Sequence, residues 1–318
     1  MNTATTQTIK SATTNVSDNQ FLEPKANQFY FMHQGQATSL ITKGINSRIQ
    51  PDQITGRGVV QIEEKIFTFL DYRDGIGKIS STAKQLFIAL CIYATRGRTN
   101  GNTVMLPLDE YMEMRGLENR KGAIGQVKAD LKILKNIHIK FTEKKKGVAG
   151  SDLNMNLFEG TEGIVNGIII FKFNSDFFDH YKKSKRISSI PEGLLKLNLN
   201  HHPNSFYFLE KISSHKNMNY NKSNENIIRV GTLLRSTPCI PKYEEIKEKG
   251  EITRRIIKPF ERDMNAVKDT LSWRYCGPKG TLVDPPVGYW QFVESLILIT
   301  WNNYPEREKR KSSKGKEE

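Results

Sequence analysis

Between Asn119 and Phe141 the hydrophobic pattern of the chain changes period. In RKGAIGQVKADLKILKN the residues Ile124, Val127, Leu131 and Leu134 recur at three-four spacing, one face of a helix. After Asn136 the run IHIKF alternates, as a strand with one buried side does. Upstream, PLDEYMEMRG opens with Pro107, carries Asp109 and Glu110 in its first turn and stops at Gly116. Asn119 is placed to cap the helix that follows. Earlier still, ISSTAKQLFIALCIYAT has Ser80 or Ser81 as an N-cap ahead of a dense apolar helix, and TVML is a short strand. Downstream, EKKKG turns, a Gly/Asn-rich insert follows, and GIIIFKF is β-branched and apolar. Helix, short strand, helix, turn, helix and a two-stranded ribbon with a basic tip predict a winged helix.

The second half repeats that order. HHPNSFYFLEKISSHKNM predicts a helix with Phe206, Leu209 and Ile212 on one face. NIIRVGTLLRST predicts a second helix capped by Asn226, and PKYEEIKEK a short third. TLSWRYC and QFVESLILITW predict strands separated by a Gly/Pro-rich turn. Between the halves, NSDFFDHYKKSKR predicts a capped helix and ISSIPEGLLKLNLN an extended linker. The runs QFYFM, GVVQI and KIFTFL in 28–70 fit either strands or a first helix. The expected fold class is α+β, two tandem winged-helix domains. The expected division is a disordered tail over 1–27, an N-terminal domain with its connecting segment over 28–195, a C-terminal domain over 196–305, and a charged tail over 306–318.

Charge narrows the partners. The chain of 318 residues carries a formal +14 at pH 7. From Arg120 to Lys146, nine Lys/Arg stand against Asp130 and Glu143, a net of +7. So concentrated a basic excess favours a polyanion. No apolar run approaches the roughly 20 residues of a bilayer span. The N-terminus lacks the apolar core of a secretory signal. Cys91, Cys239 and Cys276 are few and far apart, which fits a reducing cytosol rather than a disulfide framework or zinc site.

RRIIKPFERDMNAVKDTLSW, residues 254–273, has helical apolar spacing with Pro259 inside it. Ile252, Ile256, Phe260, Val267 and Leu271 share one broad face; Arg254, Lys258, Arg262 and Asn265 take the other. A proline within an unbroken helix costs about 3 kcal/mol, so the helix starts or kinks near Pro259. Asp263 lies toward the apolar side, where it is expected to make structural hydrogen bonds that fix the helix start. The run RRIIKPFERDMN resembles the second winged-helix domain of iteron-binding plasmid replication initiators. That family carries a basic-apolar run, then Pro, three residues, an acid, an apolar residue and Asn. Here these are Arg254, Arg255, Ile256, Ile257, Pro259, Asp263, Met264 and Asn265. The resemblance covers roughly 75–305. The chain departs from the family in a less basic second hairpin and a longer insert over 147–163.

The resemblance implies a non-enzymatic initiator in the bacterial cytosol. It would bind origin repeats in double-stranded DNA, promote origin opening, recruit a host initiator and helicase, and form homodimers through its first domain. Candidate DNA contacts are Lys121, Lys128, Lys132, Lys144, Lys145 and Lys146 in the first half, and Arg254, Lys258, Arg262 and Asn265 in the second. Arg matches guanine and Asn matches adenine in the major groove, and Lys holds phosphate. Two alternatives remain. One is a winged-helix repressor without a replication role. The other is a strand-nicking rolling-circle initiator, for which His201 and His202 lack the intervening residue of a metal-binding pair. No phosphate-binding loop GxxxxGK[ST] occurs, and no metal or other cofactor is expected.

Overall fold

The computed structural model describes residues 29–33, 38, 50–51, 58–62, 65–69, 80–145, 148–184, 187–199, 201–237 and 239–304. Both expected tails and Lys146 lie outside them. The chain is a mixed helix and strand protein. Its first half opens with strands β1 (Phe29–His33), β2 (Gln50–Pro51), β3 (Gly58–Ile62) and β4 (Lys65–Phe69). The three early apolar runs are therefore strands.

Helix α1 (Ser81–Thr95) starts at Ser80, whose side chain accepts the Ala83 amide. Its long apolar run is buried almost throughout, because strands and helices pack around it. Strands β5 (Thr99–Asn100) and β6 (Thr103–Pro107) lead into α2 (Leu108–Arg115), which ends at Gly116 with φ +61°. That left-handed cap favours glycine because it has no Cβ to clash. Asn119 caps α3 (Arg120–Lys135) by accepting the Gly122 amide. Val127, Leu131 and Leu134 are buried along one side of α3 and Ile124 is half-buried.

The strands after α3 depart from the expected ribbon. IHIKF opens β7 (Ile137–Lys145), and the insert contains β8 (Val148–Asn156) and β9 (Phe158–Val165). GIIIFKF is β10 (Ile168–Phe173). β7 pairs with β8 and β4, whereas β10 pairs with β6 and β9. The two expected ribbon strands thus sit in different sheets, ordered β2-β3-β4-β7-β8 and β5-β6-β10-β9. The turn joining β9 to β10 is Asn166–Gly167, both at positive φ. Paired left-handed residues give the tight turn whose twist suits a two-residue hairpin.

Asn174 caps α4 (Ser175–Lys183) as expected. The segment read as a linker is structured. β11 (Ile187–Pro191) pairs antiparallel with β1, from His33 opposite Ile187 to Phe29 opposite Pro191, and α5 (Glu192–Lys196) follows. Gln85 Nε2 donates to the carbonyls of Leu194 and Leu195, and Arg115 Nε donates to Leu195 at 2.8 Å. These bonds satisfy a buried stretch of backbone that would otherwise forfeit its water.

In the second half α6 (Ser205–Met218) buries Phe206, Leu209 and Ile212. Asn226 is not a helix cap: Ile227–Arg229 form strand β12, and α7 (Val230–Leu234) begins after it. Two consecutive isoleucines favour a strand when a partner is available, and β14 (Leu296–Trp301) supplies it. Helix α8 (Tyr243–Ile246) is the short third helix. Thr253–Ile257 is a π-helical turn running directly into α9 (Lys258–Asn265). β13 (Leu271–Cys276) then pairs with β14. QFVE is helical rather than extended, forming part of α10 (Tyr289–Glu294), because Phe292 is drawn into the core against Phe260, 5.3 Å away.

The two halves share one continuous apolar cluster. The buried Lys84 on α1 meets Glu210 on α6 at 2.8 Å and lies over the Phe206 ring. Phe29 of β1 packs on Trp301 and Tyr304 at the end of the second half. The three strands around α3 and those around α9 have corresponding orders, β6-β10-β9 and β12-β14-β13. The hairpin of the first half that corresponds to β13–β14 is therefore β9–β10, with β7–β8 inserted ahead of it.

Candidate nucleic-acid interface

Helix α3 is anchored from beneath by Asp130. This carboxylate is buried, and Ser80 and Thr82 each donate to its Oδ1 at 2.8 Å. Gln126 on the same helix donates to it at 3.0 Å. Burial raises the Asp130 pKa, and the hydrogen bonds from Thr82 and Ser80 oppose that shift. Asp130 thus faces the cap of α1 and does not dilute the positive charge outside.

On the outer side of α3, Lys121, Gly125, Lys128 and Lys132 are all exposed. None of the three lysines has an ion-pair partner among the described residues. A Cβ added at Gly125 would meet nothing within 4 Å, so the row of lysines flanks open space. Two cations at the helix margins are engaged instead. Lys135 pairs with Glu162 of β9 at 2.9 Å, and Arg120 pairs with Asp109.

The expected wing tip lies elsewhere. Lys144 and Lys145 end β7 in the five-stranded sheet, on the inserted hairpin rather than on the one that closes the three strands. Lys146 is outside the described residues. The β9–β10 hairpin, which corresponds to β13–β14, is not basic at its turn: exposed Val165 and Asn166 stand there.

The second helix is continuous through Pro259 because the turn before it is widened. Lys258 donates its amide to Thr253, five residues back, so the ladder has already slipped before the proline that cannot donate. Pro259 sits at the start of α9, where a missing amide costs little. Ile256, Phe260 and Met264 are buried, while Arg254, Lys258, Arg262 and Asn265 are turned outward. Val267 and Leu271 are also buried but lie beyond the helix end. Lys258 has no ion-pair partner among the described residues; Arg254 reaches Glu251 at 3.2 Å and remains 80% exposed.

Asp263 is wholly buried and makes structural hydrogen bonds, though not at the helix start. Its Oδ2 accepts the Asn204 amide at 3.0 Å and Asn204 Nδ2 at 2.7 Å, which pins α9 to the N-terminal end of α6. Thr237 Oγ1 donates to Asn204 Oδ1 at 2.6 Å, and His202 Nδ1 lies 3.4 Å from Asp263 Oδ1. Arg262 donates Nε to Asp263 Oδ1 at 2.6 Å. Asn265 accepts Trp273 Nε1 at 3.1 Å. Neither Asn204 nor Trp273 stands out in the sequence, since each acts across a tertiary contact.

Two rigidly seated helices, one per half, thus turn cations outward while their apolar sides are buried. No described helix is long and apolar enough to cross a membrane.

A scan against protein-family models matched none, and no curated protein matches the chain. Among solved structures the chain is similar to the Pi initiator protein in complex with iteron DNA. The identity is 14% and the TM-score 0.46, over 77% of this chain and 100% of that one. It is also similar to domains 2 and 3 of RctB, in a selenomethionine form at 9% identity and TM-score 0.47, covering 84% and 99%. A second structure of RctB domains 2–3 is similar at 10% identity and TM-score 0.42, covering 82% and 96%.

Proposed function

We propose that the chain is a sequence-specific double-stranded DNA-binding protein that initiates replication of a plasmid or similar mobile element. The observation that carries this reading is the paired outward faces, Lys121, Lys128 and Lys132 on α3 and Arg254, Lys258 and Arg262 on the helix through Pro259. Each half is read as a winged helix, with α3 and α9 as recognition helices. The first domain takes 28–195 with its connecting segment, and the second takes 196–305. The matched strand orders around the two helices support this division.

A helix with basic residues outward fits the major groove, about 12 Å wide. Two such helices on one framework would occupy successive grooves about one helical turn apart. Lysines supply phosphate contacts that set register, and arginine supplies base readout. Binding several repeats would bend the DNA and strain an adjacent A·T-rich duplex, which is the step that opens an origin. No catalytic role is assigned to any residue in this reading; the chain works by binding. A host initiator and helicase would act after opening.

Footprinting over the DNA that flanks the coding sequence tests the proposal. Protected direct repeats beside an A·T-rich stretch are expected. Protection of a single inverted repeat alone would replace initiation by repression, and absence of any protected sequence would overturn both.

A further inference from the structure

We propose that, on the outward face of residues 254–265, Arg262 is a fork for guanine aimed by Asp263, and Asn265 is a second base contact oriented by Trp273. The inference rests on the DNA-binding reading above and names the base chemistry of that site. Arginine has five N–H donors and no acceptor. At Arg262 one donor is already spent: Nε–H goes to Asp263 Oδ1 at 2.6 Å. Asp263 is buried and cannot swing, because its other oxygen takes two bonds from Asn204, which is itself held by Thr237. With Nε tied to the buried Asp263, the donors of the two terminal nitrogens are left for a ligand, and the side chain remains 51% exposed. A fork fixed in advance loses less rotamer freedom on binding. Its spacing matches guanine O6 and N7 in the major groove.

The second half of the inference concerns Asn265. A free asparagine can pair adenine through both its oxygen and its nitrogen. Trp273 Nε1 is a donor only, and it engages the Asn265 oxygen at 3.1 Å. That bond fixes which end of the amide is which and takes one of the two lone pairs of the oxygen. Trp273 thereby holds the Asn265 amide in one orientation. Trp273 is held in turn by edge contacts with the Phe260 and Tyr275 rings. Lys258, like Arg262, has only donors. The acceptors of this face are the second lone pair of the Asn265 oxygen and the partly exposed Glu261 carboxylate, whose Oε1 accepts Tyr275 at 3.1 Å.

Selection from a pool of duplexes randomised over about 20 base pairs, two helical turns, tests this. The parent protein is expected to enrich guanine at one position. Arg262→Lys keeps the charge but loses the fork. Its preference for that guanine should fall by about tenfold or more, the scale of one bidentate contact, while the salt dependence of binding is retained. Replacing that guanine by 7-deazaguanine should weaken the parent and leave Arg262→Lys unaffected. Trp273→Phe keeps an aromatic ring and removes the bond that orients the Asn265 amide, so the base preference at a second position should weaken. If the parent enriches a motif but Arg262→Lys enriches the same one, or weakens all sequences equally as loss of a phosphate contact would, the inference fails and the DNA-binding reading stands. If the parent enriches no motif, the reading fails and takes the inference with it.

Discussion

Lys84 Nζ lies 2.8 Å from Glu210 Oε2, a fully buried lysine on the first half facing a carboxylate on the second. The pair closes the seam that sets the two outward helices in one frame. Removing one partner of a buried pair costs more than removing both, because it leaves a charge without compensation. Glu210→Gln is expected to destabilise the fold by about 3 kcal/mol, the low end of such costs because Glu210 is 28% exposed. Lys84→Met alone should cost less, since Glu210, left without Lys84, is partly solvated, and the double variant, with methionine against the Phe206 and Tyr207 rings, should be near neutral. Urea unfolding of the two variants and of their double mutant measures both effects.

Stability should fall at alkaline pH. Burial pushes Tyr111 and Tyr207 up to about 12, whereas an unfolded tyrosine ionises near 10. Between these values the folded state holds protons that the unfolded state has lost, so stability declines as pH rises. The slope is about 1.4 kcal/mol per pH unit for each such tyrosine. Buried Lys84 acts in the opposite sense below its usual 10.5, since burial lowers its pKa. Urea midpoints at a series of pH values should therefore drop above about pH 10, and Tyr111→Phe should make that drop shallower.

The lysines of α3 should act through phosphates. Replacing Lys121, Lys128 and Lys132 with alanine is expected to lower the steepness of log affinity against log salt by up to about 3, near 0.9 for each phosphate left without its lysine. Because all three side chains are exposed and unpaired among the described residues, the melting temperature should change little. An unchanged salt slope would remove α3 from the interface.

Local signals in the sequence account for much of this fold. Ser80 and Asn119 cap the helices they precede, and Val127, Leu131 and Leu134 are buried together. Asp263 is drawn inward as its position on the helix requires. The Pro259 ambiguity dissolves once the preceding turn is π-helical, a geometry that residue types alone do not announce. Other elements depend on distant partners and carry no local mark. β8 contains Ser151, Asp152 and Asn154 and lacks clear apolar alternation, so only its pairing with β7 reveals it. β11 is a strand because β1 lies beside it. Ile227–Arg229 is a strand because β14 lies beside it. The β9–β10 hairpin is different, for it does carry a local signal: Asn166–Gly167 between apolar runs marks its turn. The Lys144–Lys146 run is the more prominent by charge, yet Lys144 and Lys145 belong to the inserted hairpin.

The central claim is tested most directly by footprinting the parent and the Arg254→Ala/Lys258→Ala/Arg262→Ala protein on the DNA flanking the coding sequence, with circular dichroism to confirm the fold. The parent should protect two patches per repeat on one side of the duplex. The triple variant, equally folded, should need at least about tenfold more protein for the same protection, since one good base contact is worth about 1–3 kcal/mol. A triple variant that protects the same patches at the same concentration would contradict the account.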